Sequence, residues 1–145
     1  MDGKIVVITG GTSGVGKETA RELARLGATV NILGRDFDKG LAALAELKAT
    51  ARHPDRVTFL SCDLARLDDV RSVAGTLHER HEQIDVLICN AGLISRKRRE
   101  TVDGFEETFA VNHLAHFLLT GLLLDLMAKA PQGRVVVVSS DAHRI

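Results

Sequence analysis

The residues best suited to chemistry in this sequence form a glycine-rich loop near the amino terminus. Gly10, Gly14 and Gly16 are spaced G-x-x-x-G-x-G between an apolar strand pattern and a helical pattern. A loop without β-carbons lets the backbone approach a pyrophosphate, and the free N–H groups of the following helix then face the phosphates. The alternative is a glycine turn that only packs helix against strand. The flanking strand and helix favour a dinucleotide site.

The residues after the second apolar segment bear on which dinucleotide would bind. Gly34 leaves room there, and Arg35 offers a planar guanidinium fork that suits a ribose 2′-phosphate. Asp36 is the competing ligand, because an acidic residue at this place holds the free 2′-hydroxyl of NAD(H). We expect NADP(H) as the cofactor and keep NAD(H) as the alternative. The plainest interpretation of Arg35 is an ordinary exposed arginine.

The elements that must position these residues alternate along the chain. Short apolar, β-branched segments predict strands over residues 4–9, 28–33, 57–61, 84–89 and 134–139. Apolar residues at helical spacing predict helices over residues 17–26, 37–51, 67–80 and 105–130. This order predicts an α/β fold with a doubly wound parallel sheet, a Rossmann fold, in one domain over residues 1–145.

Side chains that could do chemistry follow the carboxyl ends of the predicted strands. A doubly wound sheet binds its ligand at these ends, near the point where the strand order reverses. The residues in question are Thr9, Gly10, Gly34, Arg35, Cys62, Asp63, Asn90, Ala91, Gly92, Ser139 and Ser140. This coincidence of motif with strand end is the strongest functional indication in the sequence.

Composition and charge argue against several other functions. Nineteen Lys and Arg residues balance nineteen Asp and Glu residues, so no bulk positive field attracts nucleic acid or an anionic membrane. The basic run 96–99 has no interleaved aromatic residues and is typical of a solvated loop. His78 and His81 do not form an H-E-x-x-H motif, and His113 and His116 lack a third ligand nearby. We expect neither a nucleic-acid partner nor a metal.

The features that bear on location indicate the cytoplasm. Cys62 and Cys89 are too few for a disulfide framework, and we expect them to be small core residues in a reducing compartment. The first residues lack the layout of a signal peptide. The longest apolar stretch, residues 117–127, is interrupted by a threonine, a glycine and an aspartate. We expect it to be too short to span a bilayer.

Five sequence motifs follow one another in a fixed order. They are Thr9-Gly10-x-x-x-Gly14-x-Gly16, Asp63-Leu64, Asn90-Ala91-Gly92, Asn112 and Val138-Ser139-Ser140. Together they resemble the short-chain dehydrogenase/reductase family. The stretch NHLAHFLL at 112–119 and the ending VSSDAH at 138–143 are most similar to its retinol dehydrogenase, protochlorophyllide reductase and WW-domain oxidoreductase branch. The resemblance covers the whole chain but only the amino-terminal part of the family's domain.

The resemblance implies an activity and a role for individual residues. It places three groups of residues around the cofactor. Those at the pyrophosphate are Gly10, Ser13, Gly14, Val15 and Gly16, and those beside the adenine are Asp63 and Leu64. Those that border the cofactor at the end of strand four are Asn90, Ala91 and Gly92. It assigns Asn112 to a helix kink and a water of the proton relay, and Ser140 to a hydrogen bond with the substrate oxygen. The implied reaction interconverts an alcohol and a carbonyl of a small molecule by hydride transfer.

The family's general acid–base pair is not found in this chain. That pair is a tyrosine followed four residues later by a lysine, beyond the catalytic serine. The chain contains no tyrosine and no lysine after Lys129. Its own enzymatic activity is therefore uncertain. The main interpretation is the cofactor-binding part of a longer oxidoreductase, and the alternative is a non-catalytic nucleotide-binding or interaction module.

The predicted fifth strand has a consequence for solubility. By resemblance the family's sheet continues beyond it, so we expect the chain to be incomplete at its carboxyl end. Four consecutive valines, residues 135–138, would then form an unpaired apolar edge, which is a template for aggregation. We expect the isolated chain to be poorly soluble or to pair this edge with another copy.

Overall fold

A computed structural model describes residues 1–144 as a parallel five-stranded sheet with helices on both faces. The strands are β1 (Ile5–Thr9), β2 (Thr29–Gly34), β3 (Val57–Ser61), β4 (Val86–Cys89) and β5 (Arg134–Val137). Their spatial order is β3-β2-β1-β4-β5, and the register sets Val7 opposite both Asn31 and Leu87. The order reverses between β1 and β4, where folds of this kind bind ligands. The predicted doubly wound α/β fold is confirmed.

Alternate residues of β1 supply two separate hydrophobic cores. The helices are α1 (Gly14–Arg25), α2 (Phe37–Thr50), α3 (Leu67–Arg80) and α4 (Glu107–Ala128). Val6 and Ile8 pack in the core under α1 and α2, whereas Val7 packs in the core under α3 and α4. All three side chains are fully buried. Burying a side chain of this size contributes about 1.5–3 kcal/mol, so both layers hold the central strand in place.

Several boundaries differ from the sequence prediction for local reasons. The bounds of β3 and α3 are those predicted. Helix α1 begins at Gly14 rather than Lys17, because the helical hydrogen bonds already start in the loop, where the Lys17 N–H donates to the Ser13 carbonyl at 3.1 Å. Strand β4 begins two residues later than predicted. There the buried Asp85 carboxylate accepts the Ile5 N–H at 2.8 Å, and this bond joins the two strands.

Helix α4 is irregular in a way that the apolar pattern does not reveal. Its first turn, Glu107–Phe109, is capped by the Glu106 carboxylate, which accepts the N–H groups of Thr108 and Phe109, both at 2.8 Å. A π-helical segment, Ala110–Leu114, follows, and an α-helix continues over Ala115–Ala128. The predicted helix therefore exists, but it contains a widened turn. Such turns are frequent at functional sites.

The length of α4 corrects the expectation that no segment could span a bilayer. The helix has 22 residues, and its mean hydropathy reaches 1.4 over a window of 18, so length and composition alone meet the requirement. The prediction counted only residues 117–127, whereas the helix starts ten residues earlier. One such helix is weak evidence for a membrane span, because core helices of soluble proteins meet the same criterion. Leu119 and Leu123 are fully buried in the core shared with α3.

Strand β5 is an apolar edge, as predicted. Within residues 1–144 it pairs with β4 on one side only, and it ends at Val137, two residues before the predicted end. The four valines from Val135 to Val138 are between 42 and 69% exposed, and Val137 is the most exposed. An edge of this composition can accept another strand.

Candidate functional site

A cleft of about 310 Å³ lies at the carboxyl ends of the strands, between the loops that follow β1 to β4. Predicted cofactor-binding residues line it: Gly10, Ser13, Val15, Gly16, Arg35, Asp63, Leu64, Asn90, Ala91 and Gly92. Thr12, Leu33, Gly34, Cys62, Leu93 and Val111 form the rest of its lining. Gly14 starts α1 with a φ of +55° and is not among the lining residues. The structure thus brings together residues that are up to 101 positions apart in the chain, from Gly10 to Val111.

The glycine-rich loop packs too closely for larger residues at two positions. Gly10 has a φ of +67°, and a Cβ there would lie 2.9 Å from the Cα of Ala91. A Cβ on Gly16 would overlap the carbonyl oxygen of Gly10 and the side-chain nitrogen of Asn90. The loop therefore turns tightly against the end of β4, and its glycines leave the backbone open toward the cleft.

Asn90 joins the end of β4 to the glycine-rich loop. Its side-chain nitrogen donates to the carbonyl oxygens of Thr9 and Gly10, at 3.1 and 3.3 Å. The backbone N–H groups of Asn90 and Ala91 in turn donate to the hydroxyl oxygen of Thr9, each at 3.0 Å. These four bonds fix the walls of the cleft relative to each other.

His116 is a buried residue of this network that sequence analysis considered only as a metal ligand. Its Nε2 lies 2.8 Å from the Thr9 hydroxyl oxygen, and its Nδ1 lies 3.2 Å from the Asn112 carbonyl oxygen. A carbonyl can only accept, so Nδ1 carries the proton and Nε2 accepts the proton of Thr9. Burial, the main cause, lowers the pKa of His116 and keeps this ring neutral. The helical spacing of four residues from Asn112 was the available signal.

Asn112 lies in the π-helical segment of α4 and holds the loop after β4. Its side-chain oxygen accepts the Leu93 N–H and its side-chain nitrogen donates to the Leu93 carbonyl, both at 2.9 Å. This paired bond fixes the backbone next to Gly92 at the mouth of the cleft. The resemblance implied a helix kink at Asn112, and the structure shows a π-helical segment there. Its role with a water in a proton relay stays a prediction.

The two charged residues after β2 have different environments. Asp36 is the N-cap of α2, and its carboxylate accepts the Lys39 N–H at 3.0 Å. Arg35 is exposed and lines the cleft. Asp63, after β3, also faces the cleft, while one of its carboxylate oxygens accepts the Ala65 N–H at 2.9 Å. The acidic competitor for the ribose is thus engaged in capping a helix.

Ser140 lies beyond the end of β5 and is not among the residues that line the cleft. Its side chain is exposed, and its hydroxyl oxygen accepts the Ala142 N–H at 3.1 Å. The catalytic role that the resemblance implies for Ser140 stays a prediction.

Both cysteines are buried core residues at the strand ends. Cys62 follows β3 and Cys89 ends β4, and neither forms a disulfide within residues 1–144. Burial, with Asp69 and Asp63 nearby, raises the pKa of the Cys62 thiol to about 12, and burial also raises the pKa of Cys89. A thiol in this state is a poor nucleophile and a poor metal ligand.

Comparison with known proteins identifies the family. The family model for short chain dehydrogenases matches residues 4–145. The chain belongs to the short-chain dehydrogenase family. Retinol dehydrogenase 12 of Mus musculus is 46% identical over 145 residues, which is all of this chain and 46% of the relative. Polyprenol dehydrogenase of Homo sapiens is 40% identical over 146 residues, covering 98% of this chain and 44% of the relative.

A solved short-chain dehydrogenase has the same architecture with a bound dinucleotide. The protein of Escherichia coli CFT073, crystallised as a complex with NADPH, matches with a TM-score of 0.86 and 28% identity. The match covers 99% of this chain and 61% of that one. This short-chain dehydrogenase chain thus spans less than half the length of the two curated relatives and about three-fifths of that solved structure.

Proposed function

We propose that this chain is the cofactor-binding part of an NADP(H)-dependent oxidoreductase that interconverts an alcohol and a carbonyl. The observation that carries the proposal is the convergence of four strand ends on one cleft, with the glycine-rich loop on its floor. Membership of the short-chain dehydrogenase family supports it, and the Escherichia coli relative was solved with NADPH.

The floor of the cleft fits a pyrophosphate. Gly16 and Gly10 leave the backbone uncovered, because a Cβ at either position would collide with its neighbours. Ser13, the N-cap of α1, makes no side-chain hydrogen bond to the helix, so the first N–H groups stay available. The first turn of α1 also contains no acidic residue that would repel an anion. An open helix amino terminus of this kind suits phosphate oxygens.

The end of β2 favours the phosphorylated dinucleotide. Asp36 already caps α2, so its carboxylate is committed to the Lys39 N–H. Arg35 has no carboxylate partner among residues 1–144 and lines the cleft. A guanidinium fork without a partner suits the 2′-phosphate of NADP(H), whereas NAD(H) needs an acceptor for its 2′-hydroxyl.

Bound NADP(H) would supply the hydride chemistry, and this chain's residues would position it. We infer that Asn112, through Leu93, fixes the loop at the mouth of the cleft, and that Ser140 contacts the reacting oxygen of the substrate. Because the chain has no tyrosine, the tyrosine that serves as the family's acid–base group is not among these residues. That absence favours a second candidate for the chain alone, a nucleotide-binding module without catalysis.

For the substrate we propose a small-molecule alcohol or the corresponding carbonyl. The relatives named above are called dehydrogenases of retinol and of polyprenol, and both compounds are alcohols.

We also propose that the isolated chain associates with a second copy through β5. The support for this association is the exposure of its four valines at an unpaired edge.

Fluorescence titration with NADPH and with NADH tests the cofactor proposal. We expect NADPH to bind more tightly, and we expect Arg35→Asp to reverse the preference. The reason is that the aspartate would repel the 2′-phosphate of NADPH and could accept a hydrogen bond from the 2′-hydroxyl of NADH. If neither dinucleotide binds the wild-type protein, the proposed function is wrong. If both bind and Arg35→Asp leaves the preference unchanged, only the role of Arg35 is wrong.

A further inference from the structure

A second cavity of about 270 Å³ adjoins the cleft on the side of Arg35. Arg35 and Leu93 line both cavities, so the two spaces share a wall. The second cavity is also lined by Arg96 and Arg99, which belong to the loop between β4 and α4, and by Glu107 at the start of α4. Three arginines from two different loops therefore line one space, with one glutamate among them.

The loop that carries these arginines is held in place at several points. The Asn112 side chain pairs with Leu93 at its start, and the Ser95 N–H donates to the Thr108 hydroxyl at 3.3 Å. Toward its end, the Arg99 carbonyl accepts the Glu107 N–H at 2.9 Å. These bonds tie the loop to α4 on both sides of the cavity. Arg96 and Arg99 are thus presented by a fixed backbone.

The charges around the second cavity do not neutralise one another. Arg98, in the same loop, pairs with Glu100 at 2.7 Å and does not line the cavity. Arg96 and Arg99, like Arg35, have no carboxylate partner within the part of the chain that the structure describes. Glu107 supplies a single negative charge against three positive ones. A cavity of this charge favours an anion with several acceptor oxygens, which arginines bind as forks.

We propose that Arg96 and Arg99 complete, with Arg35, a site for the 2′-phosphate of NADP(H). This inference rests on the proposed function, because that function places the adenosine ribose beside Arg35 at the end of β2. The ligand chemistry is a phosphate monoester. The loop after β4 then determines the preference for NADP(H) over NAD(H), together with the residue after β2. Glu107 should weaken the site, since this acidic residue lines the same cavity.

The test compares the affinities of NADPH and NADH in variants of one loop. Arg96→Gln and Arg99→Gln should each weaken NADPH binding about tenfold, the usual effect of losing a hydrogen bond to a charged group. NADH binding should stay unchanged, which also shows that each variant is folded. Arg98→Gln is the matched control, since it removes the same charge outside the cavity, and it should change neither affinity. Glu107→Gln should tighten NADPH binding and not NADH binding.

Two results with these variants would overturn the inference and leave the proposed function standing. One is an unchanged affinity for NADPH in both arginine variants. The other is an equal loss of affinity for NADPH and for NADH. That result would show that the arginines attract any dinucleotide through the positive potential around the cleft and do not bind the 2′-phosphate. Inorganic phosphate distinguishes the source of the anion. Inorganic phosphate should compete with NADPH for binding to the protein. If phosphate binds equally well to the free and to the NADPH-saturated protein, its site is separate from the NADPH site, and the inference is contradicted. A wild-type protein that binds neither dinucleotide would overturn both proposals.

Discussion

The hydroxyl of Thr9 and the imidazole of His116 form a buried hydrogen bond of 2.8 Å between the end of β1 and helix α4. Thr9 is fully buried and His116 is 8% exposed. Because the same hydroxyl accepts the N–H groups of Asn90 and Ala91, its proton is directed to the imidazole, which in turn donates to the Asn112 carbonyl. One continuous network thus connects the glycine-rich loop, the end of β4 and the irregular turn of α4.

Removing this imidazole should destabilise the fold. We expect His116→Phe to lower the free energy of unfolding by about 1–3 kcal/mol, because the Thr9 hydroxyl and the Asn112 carbonyl lose a buried partner. Denaturant unfolding measures the change. His113→Phe is the matched control, since His113 is exposed and stacks on Phe109, and it should have a much smaller effect. Equal losses in the two variants would show that the buried network contributes nothing specific.

The pKa values of two histidines should be shifted in opposite directions from the ordinary value. Burial lowers the pKa of His116 below its ordinary value of 6.5, whereas the Ala74 carbonyl and the Asp125 carboxylate raise that of His78. On acidification the unfolded chain takes up a proton at position 116 before the native protein does, so His116 makes the fold less stable as pH falls below 6.5. His78 has the reverse effect, and its stabilisation is lost as pH rises through its raised pKa.

Nitrogen NMR of the imidazole rings measures both titrations directly. We expect His116 to stay neutral, with its proton on Nδ1, at a pH where His78 is already charged. His78→Asn should then leave a protein whose stability falls more steeply with acid than that of the wild type. A His116 ring that is charged at pH 6.5 would contradict the assigned hydrogen bonds.

A methyl group at Gly16 should disrupt the cleft. A Cβ there overlaps the Gly10 carbonyl, which is backbone and cannot rotate away. We therefore expect Gly16→Ala to lower both thermal stability and NADPH affinity. Gly75→Ala is the control, because Gly75 lies in α3 with open space around it and alanine favours helix by roughly 0.5–1 kcal/mol. A Gly16→Ala protein that binds NADPH like the wild type would show that the loop is not the phosphate floor.

The apolar edge of β5 should control self-association. We expect Val137→Lys to shift the isolated chain toward monomer, because a charge on an exposed edge opposes pairing with another strand. Light scattering or sedimentation measures the change in mass. Val102→Lys is the matched control, since Val102 is 71% exposed but lies outside the sheet. If the chain is monomeric without any substitution, association through β5 is excluded.

The apolar patterns predicted the fold because burial decides it. Buried strands such as Ile5–Thr9 show short runs of β-branched residues, and α3 shows its inward face at helical spacing. The π-helical segment of α4 was not predictable in this way, since a widened turn changes hydrogen bonds and not the identity of the apolar residues. It surrounds Asn112, which only the family resemblance singled out.

The cofactor-binding residues were largely predictable because strand ends converge in a parallel sheet. All of them except Gly14 line the cleft. The role of His116 was not predictable, because it depends on Thr9, which lies 107 residues away and which only the fold brings close. The role of Asp36 is different, because it caps its own helix through the Lys39 N–H three residues on. An aspartate just before a helical pattern is a local capping signal, which the sequence analysis did not use.

The most direct test of the central claim is to follow the backbone amide NMR signals of the protein during titration with NADPH. The account predicts that the largest shifts occur at Ser13, Gly14, Val15 and Gly16, where the helix opens toward the cleft, with a second group at residues 90–92. Shifts that cluster away from the glycine-rich loop, in a protein that does bind NADPH, would contradict it.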